Sequence, residues 1–291
     1  MINKLYDNMT EKDEGFPEAI YTVQESPELL QKLRQADVLK DEINNLKSLR
    51  EYLWPTIDKK IRIDWTYDSN AIEGSTLSRS DTIFFLDHGL TVKGKPLKDF
   101  LDARNHANAI DFLYDVITDK RQITPGLIKE INALLLLGIE HTPAMNKHGQ
   151  KVKKTATPGE YKKLPNSVLC LDGTIHHYVD PIQVPAQMDE LTNWIENSTT
   201  NLHPLTTSAI AHYNMVRIHP FDDGNGRGAR ILMNLILMKN GFTPAIIQNE
   251  HRDQYIISLE QANKCNINPF VNFVADSMLE TQKVILENLK S

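Results

Sequence analysis

The sequence predicts a mainly α fold with one small β-hairpin. Apolar residues recur at helical spacing through most of the chain, for example over residues 27–53 and 98–118. Residues 168–179 differ, because two β-prone runs flank Asp172-Gly173, a dipeptide typical of a two-residue hairpin turn. An isolated hairpin is marginally stable in water, so we expect this one to pack on the helical body.

The composition narrows the class of protein. Of 291 residues, 41 % are hydrophobic and 24 % are charged, as in ordinary globular domains. The net charge of −6 provides no basic field for nucleic acid, and no apolar run is long enough to span a membrane. The first residues contain no apolar signal segment, and Cys170 and Cys265 lack metal or redox spacing. We therefore predict a cytoplasmic protein with no nucleic-acid or membrane partner.

Caps and breakers bound the predicted helices. Ser26-Pro27 and Thr124-Pro125 are suitable starts, since a hydroxyl residue caps a helix and proline suits its first turn. Gly89 and Gly241 are suitable stops. The apolar pattern predicts helices over residues 27–53, 98–118, 124–137, 185–197, 204–217 and 231–238. It also predicts one helix from residue 56 to 69 or beyond, one that ends at residue 86, and two that follow residues 252 and 269.

The most informative stretch is residues 219–230, His-Pro-Phe-Asp-Asp-Gly-Asn-Gly-Arg-Gly-Ala-Arg. Gly224, Asn225 and Gly226 tolerate positive φ, so the backbone there can turn several N–H groups toward one point. The apolar helix that begins here adds unpaired N–H groups and the positive end of its dipole. Such a loop favours an anion, most often phosphate.

Charged and titratable side chains surround this loop. They are the imidazole of His219, the carboxylate of Asp223, which suits a metal ion, and the guanidiniums of Arg227 and Arg230. A helix N-terminal turn with a solvated arginine would need neither the histidine nor both arginines. The combination predicts a phosphoryl-group site.

Residues 219–230 resemble the signature of the Fic family, His-x-Phe-x-(Asp/Glu)-Gly-Asn-Gly-Arg-x-x-Arg, and fill every specified position. The resemblance covers about residues 60–285 and implies a Fic-type helical bundle. Residues 1–55 would form an N-terminal helical extension and residues 56–291 the Fic domain. In this family a β-hairpin called the flap, here about residues 165–180, lies over the active site and pairs with a target protein's backbone as an added strand.

The resemblance implies a protein adenylyltransferase that moves AMP from ATP to a Ser, Thr or Tyr hydroxyl of a target protein and releases pyrophosphate. His219 is the expected base, because a hydroxyl is a poor nucleophile until its proton is removed. Asp223 is expected to hold Mg²⁺ at the phosphates. The backbone of residues 224–226 and the Asn225 side chain are expected to donate to phosphate oxygens, and Arg227 and Arg230 to clamp the β- and γ-phosphates.

A second stretch, from Ser69 to Glu73 and Gly74, resembles the inhibitory motif of Fic proteins, (Ser/Thr)-x-x-x-Glu-(Gly/Asn). Glu73 is predicted at the C-terminal end of a helix, where the dipole disfavours an acid, so we expect a cationic partner elsewhere. The resemblance implies an N-terminal inhibitory helix over about residues 60–74, the class II arrangement. We predict an ion pair from Glu73 to Arg230 that blocks productive binding of ATP.

Two weaker resemblances complete the predicted site. Residues 252–255 and 262–263 resemble the segment that shapes the adenine and ribose pocket of Fic proteins, so Tyr255 and Asn263 are expected to contact the nucleotide. Lys162 stands where the family's Gly-x-Tyr-Arg lead-in usually has an arginine, which leaves the local anchoring open.

Two other functions stay open at this point. Glu73 could instead position a water molecule that removes AMP from a modified target, which is deAMPylation. Alternatively, the domain could be a non-catalytic nucleotide- or peptide-binding adaptor. The sequence also does not settle the target protein, the choice between ATP and UTP or GTP, or whether the chain forms a homodimer.

Overall fold

The computed structural model describes residues 17–145, 151–169, 175–198 and 201–290. Most of this part of the chain is helical, which confirms the predicted mainly α fold. Its helices are α1 (Pro27–Leu49), α2 (Trp54–Ile72), α3 (Arg79–His88), α4 (Leu97–Thr118), α5 (Pro125–Leu135), α6 (Val184–Ser198), α7 (Pro204–Ile218), α8 (Asn225–Lys239), α9 (Arg252–Asn263) and α10 (Asn268–Lys290). Short 3₁₀ turns at Glu51–Leu53 and Asn249–His251 precede α2 and α9. The strands pair antiparallel, β1 (His141–Met145) with β2 (Lys151–Thr155) and β3 (Ser167–Leu169) with β4 (Ile175–His177).

Helices α7 and α8 form the buried centre of the bundle. Nearly all their residues are buried, which explains why residues 231–238 are apolar on every side. Helix α6 packs on α7, and α4 and α5 pack on α8. The loop between α7 and α8 is therefore held at both ends by the most enclosed helices. No helix in the described ranges combines the length and apolar character needed to cross a membrane.

The first helix packs on the last. Leu29, Leu33 and Ala36 of α1 share one core cluster with apolar residues of α10. The Gln282 side chain of α10 donates to the Ala36 carbonyl at 3.0 Å. The segment predicted as an N-terminal extension therefore shares a core with the other end of the chain, and the domain boundary at residue 55 stays a prediction.

One helix boundary differs from its prediction. The sequence predicted one helix to residue 53 and the next from residue 56. In the structure, α1 ends at Leu49, and Trp54 and Pro55 are the first residues of α2. Proline is tolerated there because the first turn of a helix has N–H groups without intrahelical partners. Helix α2 then runs to Ile72 and is capped by Glu73, as expected for the inhibitory segment.

The predicted hairpin is present, but its register does not fit the predicted turn. A two-residue turn at Asp172-Gly173 would place Val168 opposite His177, whereas the structure pairs Val168 with His176. The turn prediction is therefore wrong by one residue in register; residues 170–174 themselves lie outside the described residues. The other pair, β1 with β2, was not predicted, because its strands contain Pro143 and several lysines instead of alternating β-formers.

Candidate active site

The loop between α7 and α8 carries the predicted catalytic residues. His219 caps α7 in the left-handed conformation, with φ 49° and ψ 58°. Gly224 caps α8 with φ 78°, a conformation that favours glycine. Between these turns, the Asn225 amide accepts from the Phe221 N–H at 2.9 Å and donates to the Phe221 carbonyl at 2.8 Å. The Asn225 side chain therefore shapes the loop, and its contact with phosphate stays a prediction.

Two residues outside the signature support this loop. Asn132 on α5 donates from Nδ2 to the Asp223 carbonyl at 2.9 Å and accepts at Oδ1 from the Gly159 N–H at 3.0 Å. Lys162 donates from its main-chain N–H to the Pro220 carbonyl at 2.8 Å. The sequence analysis missed Asn132. Its position on the apolar face of α5 was the available signal, because a buried asparagine needs hydrogen-bond partners, and Asn132 is fully buried there.

The lysine in place of the family's arginine is bonded to the residue before His219, the predicted base. Lys162 is 2 % exposed, and its Nζ donates to the carbonyl of Ile218, the residue before His219, at 3.3 Å. Burial lowers the pKa of Lys162 to about 8. The anchoring that the sequence left open is thus provided by a buried amine bonded to the end of α7.

The N-terminal end of α8 is an anion site that a carboxylate already occupies. No side chain caps this helix, so its first N–H groups and positive dipole end are open to an anion. The Glu73 carboxylate lies directly over Gly226, and a Cβ added at Gly226 would overlap Glu73 Oε1. Glycine at position 226 is what permits this close approach.

Arg230 is held by the predicted inhibitory segment. Its Nη2 donates to Glu73 Oε1 at 2.8 Å and to the Ser69 carbonyl at 2.8 Å, and its Nε donates to Ser69 Oγ at 2.9 Å. The Arg230 side chain is 2 % exposed and that of Glu73 is 43 % exposed. Burial raises the pKa of Glu73, but the charges of Arg230 and Arg227 outweigh it and hold that pKa below its usual value. The predicted ion pair is therefore present in the structure, and Gly74 follows it with φ 91°.

Two further contacts fix the C-terminal end of α2. Arg252 at the start of α9 donates from Nε to the Ile72 carbonyl at 3.0 Å. On α4, Asp99 Oδ2 accepts from both the N–H and the hydroxyl of Thr76, each at 2.7 Å. The segment that carries Glu73 is therefore tied to α9 and α4 as well as to Arg230.

His219 is covered by an aromatic ring from the flap. The Tyr178 ring stacks on the imidazole with 3.8 Å between centroids and 17° between planes. Nδ1 of His219 is buried and makes no hydrogen bond of normal geometry within the described ranges. Burial, together with the charge of Lys162, lowers the pKa of His219 to about 3, although the Val216 carbonyl and Glu73 act in the opposite direction. The imidazole is therefore neutral near pH 7, the state required of a base.

Arg227 has a partner that the sequence analysis missed. Its Nη1 donates to Asp102 Oδ1 on α4 at 2.6 Å, and the two side chains are 4 % and 9 % exposed. Its Nη2 lies 3.6 Å from Asp223 Oδ1. The feature that could have indicated Asp102 is its place on the buried face of α4, where an acid needs a partner.

Asp223 is suited to share a metal ion with phosphate. Its Oδ1 accepts from the Gly224 N–H at 2.6 Å, while no hydrogen bond or ion pair within the described residues engages Oδ2. No group of three or more potential metal ligands occurs in that part of the chain. Mg²⁺ is commonly held by one carboxylate together with water and substrate phosphates, so a single acid beside an anion loop fits that mode of binding.

The predicted adenine-pocket residues lie on α9 at different depths. Tyr255 is 2 % exposed, and its hydroxyl is 3.1 Å from His212 Nε2. Burial raises the pKa of the Tyr255 hydroxyl, although the charge of Arg230, the arginine predicted to clamp the γ-phosphate, acts in the opposite direction. Asn263 is the last residue of α9 and is half-buried. Nucleotide contacts by Tyr255 and Asn263 stay predictions.

Buried histidines with lowered pKa values, among them His106 and His212, are expected to make the fold sensitive to acid. His106 and His212 are fully buried, and burial together with the charge of Arg230 lowers the pKa of each well below 6.5. Below pH 6.5 the unfolded chain binds protons at both residues and the native chain does not, so stability falls as pH falls through that window. Each histidine should cost on the order of 1 kcal/mol at about pH 5.5. Asp68, whose pKa burial raises to about 6, acts in the opposite direction.

Urea unfolding of wild type and His212→Gln between about pH 7.5 and 5.5 measures this effect. The variant lacks one titrating group, so its unfolding free energy should fall less steeply with acid, by on the order of 1 kcal/mol over that range. An unchanged slope in the variant would show that His212 is protonated in the folded state.

Comparison with known proteins identifies the family. The Fic/DOC family model matches residues 122–237, which include the whole α7–α8 loop. Protein adenylyltransferase fic-1 of Caenorhabditis elegans is 32 % identical over 247 residues, covering 84 % of this chain and 44 % of that protein. Protein adenylyltransferase Fic of Nematostella vectensis is 35 % identical over 211 residues, covering 72 % and 45 %. The chain thus spans less than half the length of these curated relatives.

Solved structures agree on the fold. A Fic-domain-containing signaling protein from Bacteroides thetaiotaomicron matches with a TM-score of 0.77 at 28 % identity, covering 89 % of this chain and 97 % of that one. A variant fragment of Fic-1 from Caenorhabditis elegans matches with a TM-score of 0.72 at 27 % identity, covering 90 % and 72 %. With the signature loop intact and these matches extending over most of its length, the chain belongs to the Fic/DOC family.

Proposed function

We propose that this chain is an autoinhibited protein adenylyltransferase that transfers AMP from ATP to a Ser, Thr or Tyr hydroxyl of a target protein. The observation that carries the proposal is that one carboxylate, Glu73, both covers the α8 N-terminus at Gly226 and pairs with Arg230. An open helix N-terminus and a buried arginine are two parts of a phosphate site. The curated relatives are named protein adenylyltransferases, which supports the same type of reaction.

In the proposed reaction, the target hydroxyl attacks the α-phosphorus of ATP, and the bond from that phosphorus to the bridging oxygen breaks, releasing pyrophosphate. His219 takes the hydroxyl proton at Nε2, since its Nδ1 is buried. The first N–H groups of α8 donate to phosphate oxygens, and Arg227 and Arg230 orient the β- and γ-phosphates. Mg²⁺ held at Asp223 would offset the charge that develops on pyrophosphate.

Inhibition in this scheme is competition for the same positions. Arg230 donates through Nη2 to Glu73 and through Nε to Ser69, so a γ-phosphate would have to compete with Glu73 for this guanidinium. The Glu73 carboxylate also puts a negative charge where the phosphates would meet the α8 N-terminus. ATP would therefore bind productively only after Glu73 leaves.

The β3–β4 hairpin is the proposed docking site for the target. A two-stranded hairpin has unpaired edges to which an extended peptide can add a strand. Leu164 and Ile182 flank the hairpin and are 60 % and 85 % exposed. Tyr178 stacks on one face of the His219 ring, so a target hydroxyl would approach the base along the ring edge, beside Tyr178.

Intact-protein mass spectrometry of wild type and Glu73→Gly, each incubated with Mg²⁺ and ATP, tests the proposal without a known target, because Fic-type enzymes often label themselves. The expected result is a gain of one AMP by the variant and little or none by wild type. Parallel incubations with UTP and GTP test the nucleotide. The absence of any nucleotide adduct in the variant would contradict the proposed reaction.

DeAMPylation is the second candidate, and the exposure of Glu73 favours it. The side chain is 43 % exposed, and only its Oε1 is engaged by Arg230, so Oε2 is able to orient a water molecule. The two functions make opposite predictions for Glu73→Gly. Removal of AMP from a modified protein would need the carboxylate and would be lost, whereas AMP transfer would be released.

The contact between Asp99 and Thr76 gives a second way to weaken inhibition without touching the site. Asp99→Ala removes the acceptor that holds Thr76, three residues after Glu73. Losing a hydrogen bond to a charged group costs about 1.5 kcal/mol, so we expect self-labelling to rise roughly ten-fold, less than in Glu73→Gly. The matched control is Asp111→Ala, which removes another α4 acid paired with α2, at Arg62, far along the helix from Glu73. Equal labelling by both variants would contradict the anchoring role.

A further inference from the structure

We propose that Asp102 is a positioning residue, whose carboxylate holds Arg227 away from Asp223 and so keeps Asp223 free for a divalent cation. The inference rests on the proposed function, because it concerns how the same site holds nucleotide phosphate and metal. Asp102 belongs to α4, outside the signature loop, and was not among the residues that the sequence indicated.

The Arg227 guanidinium lies between two carboxylates at unequal distances. Nη1 is 2.6 Å from Asp102 Oδ1, and Nη2 is 3.6 Å from Asp223 Oδ1. The third nitrogen, Nε, is buried and has no hydrogen-bond partner within the described ranges. The side chain is 4 % exposed, so water cannot orient it instead. The direction of the fork is therefore decided by its two acids, and Asp102 holds the closer position.

A buried arginine needs a paired anion, because an unpaired buried charge costs several kcal/mol. If Asp102 loses its charge, the nearest remaining carboxylate is Asp223, and the guanidinium must move by only about 1 Å to form a full ion pair with it. Asp223 would then be neutralised by Arg227 and would bind a cation less well. Loss of Asp102 should thus act on the metal through Arg227.

The other oxygen of Asp102 is held from the solvent side. Lys98 Nζ donates to Asp102 Oδ2 at 2.5 Å, and the lysine side chain is 44 % exposed. Lys98 has no contact with Arg227 or Asp223 among its hydrogen bonds and ion pairs in the described ranges. Lys98→Met is therefore a matched control that removes one partner of the same carboxylate and leaves the Asp102–Arg227 bond in place.

The experiment compares Asp102→Asn and Lys98→Met in the Glu73→Gly protein, in which no carboxylate covers the α8 N-terminus or pairs with Arg230. Mn²⁺ binding in the presence of a non-hydrolysable ATP analogue is followed by the electron paramagnetic resonance signal of free Mn²⁺. We expect Asp102→Asn to weaken Mn²⁺ binding by about ten-fold or more, as for other residues that orient a metal ligand. Lys98→Met should stay within about two-fold of its parent. The Mg²⁺ concentration for half-maximal self-labelling should shift in the same way.

A second pair of variants tests whether the effect passes through Arg227, and it serves even if Asp102→Asn alone does not fold. Arg227→Met leaves no arginine to approach Asp223, so adding Asp102→Asn to it should change Mn²⁺ binding by less than about two-fold. The double variant also has no unpaired member of the buried pair. A further loss of Mn²⁺ binding in the double variant would overturn the proposal.

Thermal unfolding separates this role from a purely structural one. If Asp102→Asn lowers Tm but binds Mn²⁺ as its parent does, Asp102 only joins α4 to α8 and the proposal is wrong. The proposed reaction can fail while the positioning role holds. If the Glu73→Gly parent acquires no nucleotide adduct, AMP transfer is refuted. If that same parent binds Mn²⁺ ten-fold better than its Asp102→Asn derivative, the positioning role of Asp102 is supported.

Discussion

Glu73→Gly is expected to raise the rate of AMP transfer by about ten- to hundred-fold. The variant removes the acidic partner of Arg230, which then keeps only its bonds to Ser69, and it uncovers the α8 N-terminus. A fully buried ion pair resists the loss of one partner by about 3–5 kcal/mol, but an exposed pair is worth at most about 1 kcal/mol. Since Arg230 is 2 % and Glu73 is 43 % exposed, we expect a value between these limits, about 1.4–3 kcal/mol. The initial rate of AMP incorporation, measured by intact mass over time, gives the ratio.

The substitution itself is expected to leave the fold intact. Glu73 is the C-cap of α2, followed by Gly74 at φ 91°, and glycine is well tolerated at the end of a helix. Glu73→Gln is the matched variant, because it keeps the size of the side chain and removes its charge. We expect its rate to lie between those of wild type and Glu73→Gly. Equal rates in all three proteins would refute autoinhibition by this residue.

Loss of His219 should have the largest effect in the opposite direction. In the Glu73→Gly protein, replacing the proposed base should lower the rate of AMP transfer by about 10²–10⁴-fold, the usual contribution of a general base. Binding of an ATP analogue should persist, since the α8 N-terminus and both arginines remain. Calorimetric titration with a non-hydrolysable analogue, beside the mass assay, separates these two results.

The conformation of His219 decides which replacement is informative. Its φ of 49° is strained for alanine, whereas asparagine adopts this region more readily. His219→Ala therefore removes the imidazole and strains the loop, while His219→Asn removes the base alone. Equal loss of rate in both variants supports the base. A His219→Asn protein as active as its parent would show that the residue serves only the turn between α7 and α8.

The helices and the signature loop were predictable because their causes are local. Ser26-Pro27 and Thr124-Pro125 cap α1 and α5 as expected, and both caps accept main-chain hydrogen bonds from residues three positions on. That Glu73 needs a cationic partner was also predictable, since an acid at the negative end of a helix dipole is unfavourable, whereas the choice of Arg230 rested on the resemblance to the Fic inhibitory motif. Periodicity, however, did not separate α1 from the short turn after it, because both are apolar on the same side.

The supports of the site were not predictable, because they depend on packing between distant segments. Asp102 meets Arg227 across 125 positions of sequence, and Asn132 meets the Asp223 carbonyl across 91. The stacking of Tyr178 on His219 depends on where the flap lies on the bundle, which no sequence period encodes. The one-residue error in the flap arose because a turn dipeptide predicts a local conformation and not the pairing of the strands beyond it.

The position of Glu73 in the chain has a consequence for protein synthesis. Glu73 and Arg230 are 157 positions apart, and the acid comes first. At about 5–20 residues per second, a ribosome completes α2 many seconds before α8 emerges. Helix α4, which holds this segment through the bonds between Asp99 and Thr76, also precedes the loop. Each new copy of the proposed enzyme therefore acquires its inhibitor before its catalytic loop exists, and no stage of translation produces a folded, unrestrained active site.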